Sequence, residues 1–127
     1  MTTNIQFRRV VSEDDIAVTE KLAREIWNEH YVKIIGQPHV DYMLDKFQSR
    51  KAITAQISEG YEYFLVVCND DYSGYAALAP ENQPSTILLS KIYLKKSSRG
   101  LGIGREMIRF LENICKQRNF KNPPHRQ

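Results

Sequence analysis

The seven residues Arg99-Gly100-Leu101-Gly102-Ile103-Gly104-Arg105 constrain this chain more than any other stretch, because they join a strand-like segment to a helix-like one. Upstream, Ile87-Leu88-Leu89-Ser90-Lys91-Ile92-Tyr93-Leu94 is rich in aliphatic and aromatic residues, as a buried strand is. Downstream, Ile103, Met107, Ile108, Leu111, Ile114 and Cys115 recur at helical spacing. Glycines at 100, 102 and 104 let backbone N–H groups converge without Cβ interference. The helix that follows directs its unsatisfied N–H groups and the positive end of its dipole at the same spot. Such a junction is an anion site, most naturally for a phosphate or pyrophosphate. The bland alternative is a glycine-rich helix start with no ligand.

Two common glycine motifs are excluded by counting. A dinucleotide fingerprint needs Gly-x-Gly-x-x-Gly, but the sixth position is Arg105 counted from Gly100 and Met107 counted from Gly102. A Walker A loop ends in Gly-Lys-Ser/Thr, whereas Gly104 is followed by Arg105-Glu106. What remains is Arg-x-x-Gly-x-Gly, filled by Arg99, Gly102 and Gly104. After a strand ending Ile92-Tyr93-Leu94, that pattern resembles the coenzyme A loop of the GCN5-related N-acetyltransferase (GNAT) family. The order of elements upstream is similar to that family as well: a strand Ile5–Val10, helices over roughly 12–59, then strands Glu62–Val67 and Tyr72–Ala79. The segment from Trp27 to Phe47, with His30-Tyr31 and Asp41-Tyr42-Met43-Leu44, looks like small bacterial members that acetylate polyamines or other small amines.

The resemblance implies an α/β (α+β) domain with a mixed, mostly antiparallel sheet flanked by helices, and an acetyltransferase using acetyl-CoA without a metal. Backbone groups of Ile92, Tyr93 and Leu94 and of Gly100, Leu101, Gly102, Ile103, Gly104 and Arg105 are then the cofactor-binding set, with Arg99 and Arg105 adding charge-assisted bonds. Ile92 and Leu94 pair with the pantetheine amides as a strand pairs an added strand, and Tyr93 between them turns its side chain to the other side. The acceptor pocket is expected from Trp27, Tyr31 and Tyr42. No acidic residue lies between Glu81 and Glu106, so the base must come from elsewhere; His30, Tyr31 and Glu62 are the candidates. For His30 the competing reading is a packed core histidine.

Length and charge are consistent with this. At 127 residues the chain is one domain, able to bury about two-thirds of its unfolded surface. Its net charge of +3 is unevenly spread: residues 1–90 carry 8 Lys/Arg against 13 Asp/Glu, and residues 91–127 carry 10 against 2. A basic half around the loop suits an anionic cofactor. Nucleic-acid binding is disfavoured, because no basic stripe is interleaved with aromatics. The histidines at 30, 39 and 125 show no metal spacing, and Cys68 and Cys115 sit in apolar patterns as small buried hydrophobes. With no signal peptide and no long apolar run, a cytoplasmic protein without membrane contact is expected.

Along the chain, Ser12 is placed to cap a helix, with Asp15 at the capping-box position. Gly36-Gln37-Pro38 interrupts it, and Val40, Met43, Leu44 and Phe47 restart a helical stripe. The end, Lys121-Asn122-Pro123-Pro124-His125-Arg126-Gln127, offers no residues for a buried strand. A single domain over 1–127, lacking the C-terminal strand–helix–strand of the family pattern, is therefore expected. So is a homodimer or higher homo-oligomer covering the edge near Ile92. The activity alternatives are transfer of acetyl to a small primary amine, a non-catalytic acyl-CoA-binding remnant, and an interaction module.

Overall fold

The computed structural model describes residues 4–81 and 86–118 and the backbone of residues 125–126. Strand β1 (Ile5–Arg9) leads into α1 (Glu13–His30), then α2 (Val32–Ile35), α3 (Gln37–Met43), a π-helical turn (Leu44–Gln48) and α4 (Arg50–Ser58). Strands β2 (Glu62–Cys68), β3 (Asp71–Pro80) and β4 (Ile87–Leu94) follow, then a 3-10 turn (Lys96–Ser98), α5 (Ile103–Gln117) and the two-residue β5 (His125–Arg126). The strands lie in chain order, antiparallel from β1 to β4, with β5 parallel to β4. The mixed, mostly antiparallel sheet flanked by helices is the architecture the resemblance implies.

Local chemistry starts the helices where the sequence indicates. The Ser12 hydroxyl accepts from Asp15 N–H at 3.1 Å, capping α1. The Asp15 carboxylate departs from the capping box: it accepts from Val11 N–H at 3.4 Å and pairs with Arg8 at 3.0 Å. Ser49 caps α4 in the same way through Ala52 N–H. Between these helices the apolar stripe slips. Val40 is buried, but the π-turn inserts one residue of phase, so Phe47 turns outward at 37 % exposure and Gln48 turns in at 3 %.

The expectation that the end of the chain offers no strand is corrected at two residues: His125 and Arg126 pair with Leu88 and Leu89. Proline lacks the N–H a ladder needs, but that excludes only positions 123 and 124, and His125 lies just beyond them. The rest of that expectation lies outside the described residues.

The sheet buries both faces. Tyr63, Leu65, Tyr75 and Ala77 pack under α1 with Ile26, Trp27, Val40 and Ile53. Phe64, Val66, Ala76 and Leu78 pack against α5 through Ile103, Met107, Leu111 and Cys115. Strand β4 switches faces midway. Ala77 opposes Lys91 but Leu78 opposes Leu89, so Ser90 is an extra residue, a β-bulge. Before it Ile87 and Leu89 face α5; after it Ile92 and Leu94 do, and Tyr93 faces α1.

Gly74 holds β3 against the end of β4. A Cβ there would stand 2.2 Å from the Tyr93 carbonyl oxygen and 2.9 Å from Leu94 Cδ2. Gly74→Ala is therefore expected to cost about 1–3 kcal/mol as overpacking, read by urea unfolding. Unchanged stability would show that β4 can move aside freely.

Candidate active site

The alternation of the β3–β4 ladder decides which backbone groups of β4 are free. Lys95 N–H donates to Ser73 C=O at 2.9 Å, so residues 91, 93 and 95 direct their amides and carbonyls into β3. Ile92 and Leu94 direct theirs to the opposite edge. Strand β5 covers that edge only at Leu88 and Leu89, and past the bulge no described strand pairs with it. The result is a short open edge with the Ile92 and Leu94 amides facing outward. Tyr93, placed by the sequence among the cofactor-binding backbone groups, is corrected here: its amide and carbonyl are engaged by Tyr75 across the ladder.

The glycine loop lies just beyond. Gly100 and Gly102 have φ of 81° and 78°, left-handed values that favour glycine. A Cβ at either would meet nothing within 4 Å, so the backbone conformation, not space, requires glycine. Gly102 is the N-cap of α5 and supplies no side-chain acceptor, leaving the first-turn N–H groups of Ile103, Gly104 and Arg105 without a cap. The Ile103 side chain is buried and Leu101 is exposed. Arg99 and Arg105 are exposed beside the loop. The loop is tied to α1: Glu29 accepts from Lys96 N–H at 3.1 Å, and Glu25 lies 3.6 Å from Lys95 Nζ.

Between α1 and the open edge is a cleft of about 320 Å³. Ile26, His30 and Tyr31 form one wall; Ile92, Tyr93 and Leu94 form the other, and Arg99 closes one end. An Arg99 guanidinium N–H donates to Leu94 C=O at 3.3 Å. Trp27, expected to touch substrate, is buried one layer back, its ring 4.4 Å from Tyr31 and 5.8 Å from Tyr93. Its buried indole N–H has no hydrogen-bond partner among the described residues. Burial pushes the Tyr93 hydroxyl up to about 12, so it stays protonated.

Two candidates are not brought to this cleft. Tyr42, expected to line the acceptor pocket, is 54 % exposed on α3, with its hydroxyl 3.1 Å from Lys46 Nζ. Glu62 pairs with Arg118 at 2.8 Å and with Arg9 at 3.1 Å. The Arg118 bond holds its carboxyl below the usual range, so Glu62 is a structural anion and not a base. A second hollow of about 310 Å³, lined in part by Glu20, Asp41 and Asp45, sits between α1 and the α3–α4 region and includes no β4 residue. Among the described residues no group of His, Cys, Asp or Glu could hold a metal ion, and no helix is long and apolar enough to cross a membrane.

Sequence reasoning overlooked Lys91. The bulge turns it inward, where it is 6 % exposed and its Nζ contacts Phe47 C=O, Gln56 Oε1 and the Tyr63 hydroxyl. The three oxygens favour the ammonium, while burial favours the neutral amine and prevails, lowering the pKa to about 7. An odd lysine in an apolar strand was the available signal.

Residues 19–122 match the model of the acetyltransferase (GNAT) family. No curated protein matches the sequence. Among solved structures, the PaiA N-acetyltransferase of Thermoplasma acidophilum, in complex with coenzyme A, aligns with a TM-score of 0.77 at 18% identity, over 94% of this chain and 76% of that one. A GCN5-related N-acetyltransferase of Ralstonia eutropha aligns with a TM-score of 0.70 at 15% identity, over 98% and 82%. At these identities the likeness is one of fold.

The buried Lys91 gives a pH dependence of fixed sign. Its folded pKa is depressed from 10.5 to about 7, so between these values the unfolded chain binds more protons and stability rises with pH. Urea unfolding between pH 7 and 9 is expected to show a gain approaching roughly 1.4 kcal/mol per pH unit from this group. Lys91→Met should lose that gain; the same slope in the variant would assign it to other groups.

Proposed function

This chain belongs to the acetyltransferase (GNAT) family, and from that premise we propose that it transfers the acetyl group of acetyl-CoA to the primary amine of a small molecule by direct attack. The observation that carries the reading is the meeting of three features: the open Ile92–Leu94 edge, the uncapped glycine start of α5, and Arg99 between them. Acetyl-CoA, when bound, supplies an activated acyl group as a thioester. The N–H groups of Gly102 to Arg105 suit its pyrophosphate, with Arg99 and Arg105 adding charge. The outward amides of Ile92 and Leu94 suit its pantetheine arm, and one such N–H can face the thioester oxygen and stabilise charge developing there. The coenzyme-A-bound neighbour of the same fold supports this assignment.

The acceptor enters from the α1 wall. Its nitrogen bonds to the carbonyl carbon, the C–S bond breaks, and the proton lost by nitrogen balances the thiolate released. His30 lines the cleft and is the side chain placed to take that proton, directly or through water. Tyr93 stays protonated and holds the wall.

Acetyl-CoA at a hundredfold excess over Kd should stabilise the fold by about 2.7 kcal/mol, visible as a raised melting temperature. Arg99→Ala should weaken its binding by about 1.5–3 kcal/mol, the range for a charge-assisted bond. Gly102→Ala should weaken it through backbone strain at φ 78°. An unmoved melt at millimolar acetyl-CoA would remove the donor site. Binding without release of free thiol, whatever amine is offered, would favour the non-catalytic reading.

A further inference from the structure

We infer that the acceptor carries a flat apolar or aromatic body next to its amine, and no second cation; this rests on the acetyl-transfer reading above. Two rings line the cleft, Tyr31 beside Ile26 on the α1 wall and Tyr93 on the β4 wall. These rings are held in place from behind: Trp27 packs on both, and Tyr93 also packs on Tyr75 at 5.3 Å. A wall fixed before binding spends little ordering entropy on a flat ligand. An aromatic body gains ring-on-ring contact with it. The cleft's 320 Å³ is shared with the pantetheine arm along the Ile92–Leu94 edge, which leaves room for a small acceptor.

Charge argues against a polyamine. Among the described residues no carboxylate lines the cleft, and its charged member, Arg99, is the side chain assigned above to the donor's phosphate. The nearby α1 carboxylates are engaged elsewhere, Glu25 by Lys95 and Glu29 by Lys96 N–H. A second ammonium would find tyrosine faces for a cation–π contact and no carboxylate to pair with among the described lining residues. The acidic hollow lined by Glu20, Asp41 and Asp45 has no β4 wall, so a polycation drawn there would not meet the donor edge.

Two measurements test this. Thiol release from acetyl-CoA is followed with 2-phenylethylamine, n-propylamine and spermidine, each a primary amine. The expected kcat/KM is at least tenfold higher for phenylethylamine than for spermidine, and Tyr31→Leu should shrink the phenylethylamine-to-propylamine ratio. Independently of turnover, Trp27 is the chain's single tryptophan and backs the wall, so its emission reads occupancy. It should change saturably with phenylethylamine at lower concentration than with spermidine. Spermidine preferred in rate or in titration overturns the inference. If no amine is acetylated, the titration decides: a response to phenylethylamine upholds the acceptor class while the transfer reading fails, and silence to it at millimolar concentration overturns the class.

Discussion

One extra residue in β4 sets the geometry on which everything else depends. Were Ser90 paired in a regular ladder without the bulge, Ile92 would oppose Tyr75 and its amide would turn into β3, as Tyr93 now does. Ile92 and Leu94 would then face α1, and Lys91 would point at α5. With the bulge, the apolar side chains stay on the α5 face while their amides turn outward. Which amides face the open edge is thus a consequence of register, and Gly74 secures that register by letting the two backbones approach where any Cβ would collide.

The open edge and the helix start act as one surface because the turn between them is anchored. Glu29 holds the Lys96 amide and Glu25 attracts Lys95, fixing the 3-10 turn to α1. Arg99 N–H donates to Leu94 C=O across the edge. A ligand amide pairing with that carbonyl must displace the guanidinium, which is long enough to turn to a phosphate at the α5 start. Exchanging an exposed bond to a neutral carbonyl for one to an anionic phosphate is favourable.

Much of this was legible in the chain. Glycines at 100, 102 and 104 between an apolar strand and an amphipathic helix located the loop, and Ser12 and Gly36 located helix boundaries. The bulge was not legible, since Ser90 and Lys91 in an apolar run do not reveal which one breaks the alternation. Nor was the π-turn, which turned Phe47 out of an otherwise regular stripe. Trp27, Tyr42 and Glu62 were placed by residue type alone, and type does not report depth or partners. Trp27 proved to support the wall, Tyr42 to face solvent and Glu62 to hold two arginines.

The same two irregularities connect the core to the cleft. The π-turn brings Gln48 inward to accept from the Tyr75 hydroxyl at 2.8 Å, and it presents the Phe47 carbonyl to Lys91. Gln56 binds both Lys91 and the Tyr63 hydroxyl, tying α4 to the sheet. Tyr63 stacks along Tyr75, Tyr75 against Tyr93, and Tyr93 against Trp27, which carries Tyr31. Each ring is oriented by the next and the deepest by hydrogen bonds, so the rings of the cleft inherit their rigidity from a buried polar cluster. Such a cluster costs desolvation, which its members offset by bonding one another: Gln48 with Tyr75, and Gln56 and the Phe47 carbonyl with Lys91.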